Sequence, residues 1–127
     1  MARDYQSKKN MLPHEVYMQT VYFIRGHDDR CEEYRRILEG GSLPPDGTPR
    51  GTNRSDPTAL KAERLVELSK KISAVEGALN CIPKEYRRGV YSNIAYRDRL
   101  PDYAHRNTWS RWKSKFTEIV AKNMRFI

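Results

Sequence analysis

Residues 107–123, NTWSRWKSKFTEIVAKN, carry the cations Arg111, Lys113, Lys115 and Lys122, with the short polar side chains of Ser110 and Ser114 among them. Such a set does non-covalent chemistry with a polyanion. An Arg guanidinium pairs bidentately with guanine and an Asn amide with adenine, whereas Lys meets phosphate oxygens as a point charge. Asn107, Thr108, Ser110, Arg111 and Ser114 are the candidate base readers. Arg106, Lys113 and Lys115 are candidate phosphate contacts, and Arg87, Arg88, Arg97 and Arg99 are placed to extend a phosphate clamp. Any one of these cations is more often a solvated surface charge; their clustering is what carries weight.

The element that must position them is a helix. Trp109, Trp112, Phe116, Ile119, Val120 and Met124 recur at three- and four-residue spacing, which makes one face apolar, and the cations lie mostly off that stripe. Asn107 or Thr108 is expected to cap its start. A helix buried on one side and basic on the other has the form of a major-groove recognition helix. Trp109 and Trp112 would suit stacking on single-stranded bases, but their place on the apolar stripe makes core packing the stronger expectation.

Charge is concentrated in the same region. Of the 127 residues, 83–127 hold 11 Lys/Arg against four Asp/Glu, whereas 1–82 hold 13 against 12. A positive field confined to one small module favours a polyanionic partner, because binding releases condensed counterions. No enzyme is expected. His14, His27 and His105 are isolated, and sequence neighbours on a helix do not face one site. There is no phosphate-binding glycine loop, zinc-ligand spacing or nucleophile elbow. Cys31 and Cys81 read as small buried apolar residues, so neither a metal site nor a cofactor is expected. No apolar run approaches the roughly 18 residues of a membrane span. The segment MARDYQSKKN lacks a signal-peptide apolar region, so no membrane partner and a cytoplasmic location are expected.

The remaining pattern predicts an all-α fold. Pro13 suits a first helical position, and Val16, Tyr17, Val21, Tyr22, Ile24, Cys31, Tyr34, Ile37 and Leu38 sustain a helical period to about Glu39, where Gly40 and Gly41 stop it. Residues 40–57, GGSLPPDGTPRGTNRSDP, read as a long mobile loop. Asp56 and Pro57 then open a second long helix with a seam of Leu65, Leu68, Ile72, Val75 and Leu79. That seam is expected to pack on the first helix as an antiparallel hairpin over residues 1–81. Pro83 opens a third helix with Tyr86, Val90, Tyr91 and Ile94 inward. A short piece at 102–106 and the basic helix complete a helix-turn-helix unit over residues 82–127.

The segments IPKEYRRGVYSNIAYR at 82–97 and NTWSRWKSKFTEIVAKN at 107–123 resemble the C-terminal part of the ArpU/RinA-type phage late-transcription activators, themselves similar to the helix-turn-helix of sigma-factor region four. PPDGTPRGT at 44–52, DPTALKAERL at 56–65 and ISAVEGALNCIP at 72–83 are similar to small prophage proteins of Firmicutes. The resemblance implies a phage or prophage regulator that binds double-stranded DNA sequence-specifically, with RNA polymerase as an implied partner. It implies base readers at Asn107, Thr108, Ser110, Arg111 and Ser114. The chain departs from that pattern at Asp98–Arg106, which is short and contains Pro101 and Tyr103. Two other functions fit the composition: a packaging protein, like a small terminase, whose hairpin drives homo-oligomer assembly, and an inhibitor that occupies another protein's nucleic-acid channel.

Overall fold

The computed structural model describes residues 6, 10–40 and 57–127, and among these it is all-helical. The loop expected at 40–57 and the Asp56 cap therefore lie, apart from Gly40 and Pro57, outside the described residues. Five helices follow in order: α1 His14–Arg25, α2 His27–Leu38, α3 Pro57–Leu79, α4 Lys84–Tyr96 and α5 Arg106–Asn123. Among the described residues no helix is long and apolar enough to cross a membrane.

The single helix expected from 13 to 39 is two. α1 begins after Pro13, whose carbonyl accepts the Tyr17 N–H at 2.9 Å. It buries Tyr17, Thr20, Val21 and Ile24 on one face and breaks at Gly26. A Cβ at Gly26 would stand 2.6 Å from Arg30 Nη1. The bare Gly26 leaves the Arg30 side chain space to fold back, lay its guanidinium 3.9 Å from the centre of the Phe23 ring, and donate to the Phe23 carbonyl. That donor satisfies a carbonyl at the interrupted turn. The helical period runs across one residue unchanged, so the break is invisible to spacing. Its effect on the expected stripe is large: Tyr22 and Leu38 end up exposed, and Cys31 and Tyr34 half-buried.

The break gives the two halves different neighbours. α1 packs on α4 and α5, while α2 packs on α3. α2 and α3 run antiparallel, with Glu33 of α2 beside Arg64 of α3 and Cys31 beside Glu76. Of the expected α3 seam, Leu68 and Val75 are buried and Leu65, Ile72 and Leu79 half-buried, with Ala74 and Ala78 added to the buried set. The C-terminal half of α3 also reaches α5, where Asn123 Nδ2 donates to the Ala74 carbonyl at 3.1 Å.

One apolar cluster joins Leu12, Tyr17, Val21 and Ile24 to Val75, Ala78, Ile82, Val90, Ile94, Trp109, Phe116, Val120 and Ala121. It draws from both sides of Pro83. Leu12 is held there because Asn10 Nδ2 donates to Thr117 Oγ1 at 2.9 Å while Asn10 Oδ1 accepts the Leu12 N–H. Both cysteines are free, and neither is fully buried. Cys81 lies past the end of α3, exposed, with its thiol donating to the Gly77 carbonyl.

Candidate nucleic-acid interface

α4 is stopped by Arg97, which takes a left-handed conformation at φ 59°, with the Asp98 N–H donating back to the Ser92 carbonyl. The chain then crosses to α5 through Asp98–His105 without helix. Neither Asn107 nor Thr108 caps α5. His105 does, its Nδ1 accepting the Asn107 N–H at 3.1 Å. The expected cap lies two to three residues too late, because an imidazole also supplies the acceptor that a free first-turn N–H requires.

Aromatic rings fix the angle between α4 and α5. The buried Trp109 ring lies directly on the α4 backbone at Gly89, where a Cβ would stand 2.6 Å from its Cη2. Its Nε1 donates to the Pro101 carbonyl at 3.0 Å, which ties the crossing segment to the same ring. Tyr86 meets Trp109 edge-on at 5.2 Å and stacks near Trp112 at 6.1 Å. Tyr103 closes the group against Trp109 at 5.3 Å, and its hydroxyl donates to the Glu85 carbonyl. Trp109 is thus core, while Trp112 is half-buried.

With that face of α5 buried, the opposite one is fixed. Arg106, Asn107, Arg111 and Lys115 are all exposed. Asn107, Arg111 and Lys115 follow at four-residue spacing and form a stripe up one side of the first three turns. The Arg111 guanidinium lies 5.1 Å from the centre of the Trp112 ring, a contact that restricts its swing while leaving its donors to solvent. The same face offers planar amide and guanidinium donors at its start and an ammonium farther along.

Other expected contacts fall elsewhere. Ser114 is buried, its hydroxyl without a hydrogen-bond partner, so it is not on the exposed stripe. Thr108, Ser110 and Lys113 are half-buried. Arg87 folds back onto the end of α3, where its Nε donates to the Ile82 carbonyl at 2.9 Å and its Nη2 to that of Asn80 at 3.3 Å. Arg88, Arg97 and Arg99 are exposed on α4 and the segment after it.

A second grouping was not anticipated from the sequence. His27 and Cys31 of α2 and Glu76 of α3 bring one nitrogen, one sulfur and one carboxylate oxygen within 4.8 Å of one another. Burial lowers the His27 pKa and raises that of the Cys31 thiol. The signal available in the sequence was the four-residue spacing of His27 and Cys31, which puts both on one helix face. Their partner, 45 residues farther on, has no sequence signature.

Comparison of the chain with protein-family models, curated proteins and solved structures found no match.

Proposed function

We propose that the chain is a phage- or prophage-encoded, sequence-specific DNA-binding transcription regulator, in which α4, the crossing segment and α5 act as a sigma region four-like helix-turn-helix. The observation that carries this reading is the exposed stripe of Asn107, Arg111 and Lys115, flanked by Arg106, on a helix whose other face is locked into the core. A recognition helix needs that division, because base readers gain specificity only when the helix beneath them cannot rotate. In this reading Asn107 and Arg111 read base edges. Arg88, Arg97, Arg99, Arg106 and Lys115 meet phosphates. Ser114 and Arg87 serve the fold. RNA polymerase remains a proposed partner on the resemblance alone. Leu38, Leu60 and Val66, large apolar side chains left exposed on α2 and α3, support self-association through that arm.

The test is fluorescence anisotropy of labelled duplexes across a salt series. Each lost phosphate contact should reduce the slope of log K against log salt by about 0.9, so Lys115→Ala should weaken binding to every duplex alike. Arg111→Ala should cost about 1–3 kcal/mol at the cognate site and relax discrimination at one position. An unchanged slope and affinity when Arg106, Arg111 and Lys115 are all replaced by alanine would remove this face from the interface. A large assembly that binds duplexes without preference would favour the packaging reading. Affinity for a protein but for no duplex would favour the inhibitor reading.

A further inference from the structure

We propose that His27, Cys31 and Glu76 form a transition-metal site, suited to Zn2+, that clamps α2 to α3.

The geometry of the pair on α2 carries the argument. His27 Nε2 and Cys31 Sγ are 3.5 Å apart. In a tetrahedral zinc site, with Zn–S about 2.3 Å and Zn–N about 2.0–2.1 Å, the nitrogen–sulfur edge is itself about 3.5 Å. Two ligand atoms therefore stand at the required separation before any metal binds. Glu76 approaches from α3, and the whole triple spans no more than 4.8 Å. Closing it to tetrahedral edges asks for a shift of about 1 Å in the carboxylate. Glu76 is exposed, so a rotamer change supplies that shift.

The surroundings agree. His27 is 6 % exposed, and its Nδ1 is buried with no hydrogen-bond partner. The contact at Nε2 is a hydrogen bond with the Cys31 thiol, and a metal there would take the place of the proton that nitrogen and sulfur share. The adjoining cleft of about 330 Å3 is lined by Cys31 and Glu76 together with Tyr34, Ser69, Ile72 and Ser73. It leaves room for water as a fourth ligand. Asp28 turns to α4, where its Oδ1 accepts the Tyr91 hydroxyl at 2.8 Å. Arg30, the nearby cation, is folded over Phe23. A nitrogen, thiolate and carboxylate set selects Zn2+ or Co2+ over Mg2+ and Ca2+, which take oxygen ligands. On binding, the Cys31 thiol gives its proton to solvent, and no electron is transferred.

The experiment uses the full chain, stripped of metal by a chelator and titrated with Co2+. A single Co2+ per chain should bind, with tetrahedral d–d absorption and a thiolate-to-cobalt charge-transfer band, and Zn2+ should displace it and raise Tm. Cys31→Ser should abolish the charge-transfer band, while Cys81→Ser should leave it. Glu76→Gln, at an exposed position that does not endanger folding, should weaken Co2+ binding by ~10-fold or more. A band that persists in Cys31→Ser and disappears in Cys81→Ser would overturn the site. So would Co2+ affinity unchanged by Glu76→Gln, or a rise in Tm as large with Mg2+ as with Zn2+.

Discussion

α5 buries Trp109, Ser114, Phe116, Thr117, Val120 and Ala121, whereas α2 buries only His27 and Ile37 of its 12 residues. The first region is held to α1, α3 and α4 by close apolar packing. The α2–α3 arm is held by Leu68, by the Glu33–Arg64 pair at 2.6 Å and, on our proposal, by a metal. Apolar packing is dense and non-directional, and it suits a scaffold that must hold a binding face still. Polar and metal contacts are directional and respond to pH and to ligand, and they make the arm the part of the molecule that solution conditions can adjust.

The largest effect should come from the centre of the packed region. Trp109→Ala should destabilise by about 3–5 kcal/mol, read from denaturant unfolding. Trp112→Ala, at a half-buried ring, should cost about 1–2 kcal/mol. Equal losses would erase the distinction between core ring and rim ring. Gly89→Ala should follow at about 1–3 kcal/mol, because its new Cβ meets a fixed indole. Its loss should shrink in a Trp109→Leu background, and full additivity would mean that the two do not touch.

In the arm the effects should be smaller and pH-dependent. The Arg64 hydrogen bonds hold the Glu33 carboxyl below its ordinary value of 4.5. A depressed folded pKa stabilises the protein above the unfolded value, and this contribution is lost as pH falls below 4.5 through the folded value. Arg64→Ala should therefore cost about 1 kcal/mol at neutral pH, and its stability should fall less steeply than the wild type's below pH 4.5. Parallel pH profiles would show that the pair contributes nothing. The smallest effect has the opposite sign. A Cβ at Gly77 meets nothing within 4 Å, so Gly77→Ala should stabilise α3 by about 0.5–1 kcal/mol, and a drop in Tm would place an unseen contact there.

The same division governs what could be read from the sequence. Val90, Ile94, Trp109, Phe116 and Val120 were legible because apolar residues at helical spacing must share a buried face. The all-helical class and the starts of α3 and α4 at their prolines were legible for related reasons. The break at Gly26 was not, because the helical period continues across it unchanged. Ser114 could not be told from Ser110 as a surface residue, since both border the apolar stripe and only the approach of neighbouring elements decides. Glu76 as the partner of His27 and Cys31 likewise depends on tertiary placement, which spacing along one helix does not encode, whereas the His105 cap is local and was missed because an imidazole is not among the usual cap side chains.

Selection of bound duplexes from a random DNA pool, run at two salt concentrations on the wild type and on Arg111→Ala, tests the central claim most directly. The account predicts an enriched motif that survives the higher salt and loses discrimination at one position in Arg111→Ala. Weak binding that vanishes with salt and enriches nothing in either protein would contradict it.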